Sequence, residues 1–360
     1  MNFGPRHYVP VLKLKRAEKA ALGFLAETIT THVTPLLEIV EMPKDTPSGK
    51  SKALDRHLTN AFRRLKESVL PLKRYFLDAR EIAAVGAVGA ERAIEEAVQL
   101  GVPFTPVTGI SRTADITASL IRVAQNGLAI RLTRSEFENR MVRQRLPVFL
   151  ATNNLERSAV DLIIDVGTVD QMIPAGVASM MRTFVAEVPH PTEWRTLSIV
   201  GCAFPKSMGV VKSDSHKIVD RSEWLAWRDD LYAHRADLSR LPTFGDCGIQ
   251  RPEGVEGLDF RVIPIAGALR YANDDGWLLV KGHSRERTPL ARQLPLLARK
   301  LVEGGLKAHF AGGDHCEGCG GAVECAAGAK GFGTPEAWRR LGTIHHITNT
   351  VLQIQSLSWP

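Results

Sequence analysis

The sequence predicts an α/β fold: a (β/α)8 barrel of the TIM type with a β-hairpin insertion and a C-terminal helical closing segment. Three observations predict it. Eight short apolar runs of strand type recur, most of them followed by a helical segment. They span about 240 residues, the length such a barrel needs. No G-x-G-x-x-G follows the first run, which lowers the alternative of a doubly wound open sheet with a dinucleotide site. The GAVGAE stretch after Val85 has the small residues but no strand before it at the right place.

The first run is Tyr8 to Leu14, and the helix after it places Ala20, Phe24 and Thr28 on one side. The second run is Val33 to Val40 and the third Arg74 to Asp78. The next helix carries Ile94, Ala97 and Val98 at i, i+3, i+4 spacing, with Gly101 as its C-terminal cap. The fourth run is Pro103 to Thr108; its helix has Ile116, Leu120 and Val123, with Gly127 as a cap candidate. The fifth to eighth runs are Leu128 to Leu132, Val160 to Val166, Leu197 to Phe204 and, weaker, Leu241 to Gly248. Trp224, Trp227 and Leu231 follow helical spacing and read as a helix packing on the barrel, with nucleic-acid stacking as the alternative.

From Leu258 the rhythm changes, so residues 1–257 are expected to form the barrel core and 258–360 a segment packed on it, in a single integrated domain. Ala268 to Tyr271 and Trp277 to Val280 flank Asn273-Asp274-Asp275-Gly276, a hairpin turn. A helix from about Thr288 lines up Leu290, Leu294, Leu297 and Leu301 and ends near Gly304-Gly305. Residues 311–333 read as a Gly-rich loop holding three of the five cysteines. Thr334-Pro335-Glu336 reads as an N-cap followed by Pro at the first helical position.

Composition narrows the function classes. The chain has 360 residues, 44% apolar and 24% charged, an ordinary globular composition that excludes disorder or a fibrous repeat as the main state. No apolar run approaches the roughly 18–20 residues of a membrane helix. The charge-free stretch from Leu341 to Pro360 is broken by His345, His346, Asn349, Gln353 and Gln355. The start of the chain has no secretory-signal pattern, and five unevenly spaced cysteines do not read as a disulfide framework. A reducing cytoplasm and no membrane partner are the expectation. The net charge of +7 permits an anionic partner such as a nucleotide or nucleic acid without demanding one.

In a barrel of this kind, side chains at the C-terminal strand ends share one mouth. Lys13 and Lys15 end the first run; Glu38 lies on the second. Asp78 and Arg80 end the third, Arg131 the fifth and Asp165 the sixth, and Asp246 lies on the eighth. Such charges interrupt apolar runs, and unpaired burial would be expensive. Glu38, Asp78, Asp165 and Asp246 facing Lys13 and Arg131 could do acid–base work or hold a divalent cation such as Mg or Mn. The same residues also read as an ion-pair network closing the barrel end. The long loop after the seventh run, Pro205 to Arg221, carries Lys206, Lys212, Lys217, Ser213, Ser215 and His216; it reads first as a solvated basic loop, with phosphate binding as the alternative.

His315-Cys316-x-x-Cys319-x5-Cys325 has zinc-ligand spacing in part, because C-x-x-C lets two thiolates reach one tetrahedral ion. His315 or Cys325 could add a ligand, and so could His345 or His346 from across the fold; reduced cysteines in a loop are the alternative. His345 and His346 are adjacent, so on a helix they point about 100° apart, and one can face the barrel as a proton carrier. Cys202 and Cys247 lie on barrel strands and read as small buried hydrophobes.

Several blocks, in order, carry a resemblance. They are YVPVLKLK at Tyr8–Lys15 with Glu18 and Ala20-Ala21-Leu22, Pro35-Leu36-Leu37-Glu38-Ile39, Asp161-Leu162-Ile163-Ile164-Asp165 and Ala203-Phe204-Pro205. Gly245-Asp246, Leu269-Arg270-Tyr271 with Trp277, and Gly333 to Gly342 running into His345-His346 follow. Together they resemble the phage-type beta-protein family ("beta family protein") over nearly the whole chain. The resemblance implies a TIM-barrel-like core in a bacterial and phage group found around mobile elements and defence genes, with no assigned activity. The chain departs from the family pattern at the His315–Cys325 cluster and at Cys247, where an aromatic usually follows the aspartate.

The leading functional expectation is a phage-defence or mobile-element protein whose mouth acts on a phosphate-bearing substrate, nucleotide or nucleic acid. Glu38, Asp78, Asp165 and Asp246 would bind a cation or act as acid–base groups, Lys13 and Arg131 would hold phosphate, and His345 or His346 would move protons. The competing expectation is a non-catalytic module that senses a phage component or binds a partner protein encoded nearby. A third is a carbohydrate-active barrel using Glu38 and one Asp, with Phe204 and Phe244 as stacking candidates.

Overall fold

The computed structural model describes residues 3–42, 54–251 and 266–359. Its centre is a closed barrel in the order β1-β2-β3-β4-β5-β6-β7-β9, parallel throughout. The strands are β1 (Tyr8–Lys13), β2 (Leu36–Glu38), β3 (Tyr75–Asp78), β4 (Phe104–Thr108), β5 (Leu128–Thr133), β6 (Val160–Thr168), β7 (Thr196–Cys202) and β9 (Thr243–Asp246). Each of the eight expected runs overlaps one of them, with β5, β6 and β7 reaching one or two residues beyond. A parallel strand covered on both faces reads as a near-continuous apolar run, which is why the signal was strong. In β6, every residue from Val160 to Val166 is buried.

The helices depart from expectation in places. The first helix stops at Leu22, and its buried apolar face is Ala17, Ala21 and Leu22. Phe24 and Thr28 are exposed, with the Arg340 guanidinium 5.0 Å over the Phe24 ring. The Ala87–Leu100 helix ends on Gly101 at φ 66°, and buries Ile94 and Ala97 but leaves Val98 outside. The Ala114–Arg122 helix is capped by Val123 rather than Gly127. Gly127 instead turns the chain into β5 at φ 84°, where an added Cβ would sit 2.3 Å from the Arg195 guanidinium. Trp224, Trp227 and Leu231 are buried, with the two indoles 5.2 and 5.6 Å from the Phe244 ring on β9.

The Pro205–Arg221 segment is not a loop throughout. It contains β8 (Ser215–Asp220), which joins the hairpin strands β10 (Ala266–Ala272) and β11 (Gly276–Ser284) in an antiparallel sheet of order β10-β11-β8. The strand escaped the sequence because it is an edge, exposed over most of its length, with Ser, His and Lys instead of an apolar run. The hairpin turn closes through Asn273 N–H to the Gly276 carbonyl at 2.7 Å.

The Gly-rich region hides a helix, Glu317–Ala326. Its glycines serve close packing. A Cβ on Gly318 would lie 2.3 Å from the Leu341 carbonyl, and one on Gly321 would lie 2.5 Å from the Leu341 side chain. Leu341 belongs to the C-terminal helix Pro335–Ser356, which begins as expected: the Thr334 side chain accepts from Ala337 N–H, with Pro335 in the first turn. This helix serves two cores. Ile344, Ile347, Val351 and Ile354 join the barrel core. Trp338 and Leu341 join a second core with Leu269, Tyr271, Leu278, Val280 and the Leu294–Leu297–Leu301 stripe of the Leu290–Val302 helix. The expected boundary at residues 257 and 258 lies outside the described residues. Among the described residues, no helix is long and apolar enough to cross a membrane.

Candidate functional site

The parallel register lines up the ends of neighbouring strands. Lys13 on β1 sits beside Glu38 on β2, and Glu38 beside Asp78 on β3. Arg131 on β5 faces the same space and is 3% exposed. Its guanidinium gathers three carboxylates: Nη1 donates to Glu38 Oε1 at 2.5 Å and to Asp78 Oδ2 at 3.0 Å, and Nε donates to Asp165 Oδ2 at 2.8 Å. Lys13 Nζ lies 2.7 Å from Glu38 Oε2, and Arg112 Nη2 lies 2.7 Å from Asp78 Oδ1. Arg80 Nη2 adds a longer contact to Glu38 at 3.6 Å. Asp165 is further held by the Gly167 N–H at 2.9 Å, at a bulge where β6 loses register with β7.

Opposed effects set the charges. Burial pushes the Glu38 carboxyl up, but the Arg131 and Lys13 cations overturn that and leave it below its ordinary value. Asp78 behaves alike: burial raises it, and Arg112, Arg131 and Arg80 bring it well below the carboxylate range. Burial works against the Arg131 charge, and Asp165, Glu38 and Asp78 together hold the guanidinium protonated. The cluster carries four cations, Lys13, Arg80, Arg112 and Arg131, and four carboxylates, Glu38, Asp78, Asp165 and, on Arg80 at 3.3 Å, Glu81. Beside it is a narrow cleft lined by Lys13, Glu18, Glu38, Cys247, Gln250 and Arg251 among others; its volume of about 10 Å³ holds about one water.

Asp246 belongs to a different group. It is fully buried, and its carboxylate accepts from Tyr8 OH at 2.5 Å, Gly248 N–H at 2.8 Å, His346 Nε2 at 3.0 Å and Arg221 Nη2 at 3.4 Å. Burial raises its carboxyl, and His346 and Arg221 carry it well below its ordinary value. Burial lowers His346, and the Asp246 charge and hydrogen bond only partly restore it. Glu223, packed nearby, is pushed up to about 8 by burial and the Asp246 charge.

His345, one residue away, points elsewhere. Its Nδ1 lies 3.2 Å from Cys319 Sγ and 3.8 Å from Cys316 Sγ. Cys316, Cys319 and His345 are, among the described residues, the one group of three His, Cys, Asp or Glu ligand atoms close enough for a metal ion. The mouth carboxylates are not such a group, because Arg131 stands between them. His315 lies next to the cysteine cluster, with its ring centroid 5.3 Å from that of His345. Cys325 is buried two turns further along the helix in the second core, away from the other sulfurs.

The remaining predicted residues spread out. Lys15 is exposed at the start of the Arg16–Leu22 helix. Lys206 and Lys212 are exposed in the connection after β7, and Lys217 is exposed on β8 opposite Leu279. Among the described residues, no ion pair joins these lysines to the Arg131 cluster. Phe204 is buried edge-on against Trp277, and Phe244 is buried among the tryptophans, so neither offers a face to a sugar. Sequence reasoning missed Arg112 and the Gln250–Arg251 side of the cleft. Arg112 lies four residues past the end of β4, so inspecting every strand-to-helix loop, not only the strand ends, is the signal that could have found it.

No curated protein matches the chain. Among solved structures, the YdjI aldolase of Escherichia coli K12 is similar at 8% identity and a TM-score of 0.28, over 96% of this chain and 91% of that one. A triosephosphate isomerase of Bartonella henselae is similar at 11% identity and a TM-score of 0.22, over 55% of this chain and 83% of that one. The family model named Beta protein matches residues 8–352, nearly the full length, and the chain belongs to that family.

Proposed function

We propose that the barrel mouth recognises a phosphate-bearing substrate, a nucleotide or nucleic acid, and hydrolyses it by acid–base chemistry. The carrying observation is the Arg131 cluster, eight charged side chains, four of each sign, gathered at the C-terminal strand ends and the loops that follow them, where barrels of this class place their sites. In this reading Lys13 and Arg80, the latter 35% exposed, receive the phosphate. Of the carboxylates that Arg131 holds, Asp165 has the most exposed side chain, at 12%, and serves as the general base. Glu38 and Asp78, ionised and buried, orient Arg131. Each carboxylate is already engaged by a guanidinium, which favours acid–base over metal-assisted chemistry, and both histidines are engaged away from the mouth. The phage-defence or mobile-element setting rests on family membership alone.

Calorimetric titration with inorganic phosphate, ATP and a short single-stranded DNA tests the reading, with phosphate release as the second readout. Binding that weakens about tenfold or more in Lys13→Ala, each lost contact to a charged group being worth about 1.5–3 kcal/mol, supports it. So does Asp165→Asn that binds but does not hydrolyse. Absence of binding to all three ligands overturns it. The complete pairing of the carboxylates and the one-water cleft favour a second reading, a non-catalytic module whose mouth is structural. Mouth substitutions would then change stability alone.

A further inference from the structure

We infer that Cys316, Cys319 and His345, with His315 turning in as the fourth ligand, form a structural zinc site that fastens the C-terminal helix to the Glu317–Ala326 helix. The site is separate from the mouth and stands whether or not the mouth is catalytic.

The geometry is built by the chain itself. Cys316 is the N-cap of the Glu317–Ala326 helix and Cys319 lies three residues on, so both sulfurs sit on one face. Cys316 Sγ accepts from Cys319 N–H at 3.4 Å, which holds the first sulfur over the helix start. Gly318, between them, lets the C-terminal helix come close: an added Cβ there would be 3.1 Å from the His345 backbone nitrogen. His345 Nε2 lies 2.9 Å from the Ala272 carbonyl at the end of β10. A carbonyl only accepts, so Nε2 carries the proton and Nδ1 presents its lone pair. That lone pair faces the two sulfurs at 3.2 and 3.8 Å.

Those separations lie on either side of the sulfur–nitrogen edge of a metal tetrahedron. With zinc bonds of 2.3 Å to sulfur and 2.0–2.1 Å to nitrogen, neighbouring ligand atoms lie roughly 3.5–3.8 Å apart. A backbone carbonyl on the far nitrogen is the usual partner of a metal-bound histidine. His315 lies outside the group of three whose ligand atoms are within 4.8 Å of one another, so its side chain must turn inward to supply the fourth ligand. His315 Nε2 is buried and has no hydrogen-bond partner, on the residue preceding Cys316 and beside the His345 ring. A bound cation would satisfy it. Two thiolates and two neutral imidazoles neutralise Zn2+ and leave no open position, which makes the site structural rather than catalytic. Cys325 has no part in it.

The consequence reaches the barrel. His345 and His346 are adjacent on one helix, so fixing the first on the metal fixes the rotation that sets the second against Asp246.

The test is zinc analysis of the purified full-length chain by plasma mass spectrometry, followed by cobalt(II) loading of chelator-stripped protein. Stoichiometric zinc is expected in the wild type and in Cys325→Ser, and loss of it in Cys316→Ser and in His345→Ala. The wild type loaded with cobalt should show the strong visible bands of a tetrahedral thiolate site, shifted or weakened in His315→Ala. Wild-type protein that contains no zinc and binds no cobalt overturns the site, and so does a Cys316–Cys319 disulfide in freshly purified protein. Zinc retained in Cys316→Ser also overturns it. A cobalt spectrum unchanged in His315→Ala overturns the fourth ligand. The wild-type cobalt spectrum decides the matter even where a variant fails to fold.

Discussion

Arg131 on β5 reaches across the barrel to Glu38 on β2, with Nη1 2.5 Å from Oε1. The same guanidinium holds Asp78 on β3 and Asp165 on β6, so a single buried cation ties together strands from both sides of the mouth. Three carboxylates in so dry a place would repel one another without it.

Arg131→Met removes the shared partner and leaves three buried carboxylates under-compensated. The expected loss of stability is about 3–5 kcal/mol, the usual cost of breaking a buried pair from one side. Urea unfolding measures it. A loss below about 1 kcal/mol, the scale of an exposed ion pair, would mean that Arg131 does not hold the mouth together.

The lowered Glu38 and Asp78 carboxyls imply acid sensitivity. Their folded values lie below the ordinary 4.5 and 3.8, so their contribution is complete above those values and is lost as pH falls through the folded ones. Melting temperature should drop progressively below about pH 4. Asp78→Asn should be less stable at neutral pH and show a flatter acid limb. Parallel curves for the two proteins would exclude Asp78 as a source of that limb.

Glu223 carries the opposite sign. Its carboxyl, pushed up to about 8, keeps its proton in the folded protein at neutral pH, while the unfolded chain loses it above the ordinary 4.5. Stability therefore declines between those two values as pH rises. Glu223→Gln keeps the shape and removes the titration, so its stability relative to the wild type should improve from pH 5 to pH 8. Unfolding free energies at several pH values check this; a constant difference would refute it.

Gly318→Ala tests the helix contact beneath the cysteines. The new Cβ would meet the Leu341 carbonyl at 2.3 Å, and backbone cannot yield as a flexible side chain does. Overpacking of this kind costs about 1–3 kcal/mol. The same change should lower zinc content, because the two helices must part. A variant with unchanged melting temperature and unchanged zinc would show that the helices do not pack this closely.

The sequence by itself determined the barrel. Strands buried on both faces are near-continuous apolar runs, and eight of them alternating with helices leave few other folds. Local chemistry also determined the Asn273–Gly276 turn and the helix start at Thr334, because each depends on residues a few positions apart. Only the tertiary structure decided the rest. β8 carries no apolar signal because its faces are largely solvated, so its pairing with β11 is visible only in space. The helix at Glu317–Ala326 uses glycine for close contact with a neighbour, which local propensity reads as loop. Lys13, Glu38, Asp78, Arg131 and Asp165 converge because parallel register and inward orientation bring them together, whereas Asp246 is drawn into a buried group with Tyr8, Arg221 and His346. The split between His345 and His346 was legible as two directions about 100° apart on a helix. Which direction met sulfur and which met carboxylate depended on how that helix lies across two cores, and no spacing along the chain encodes that.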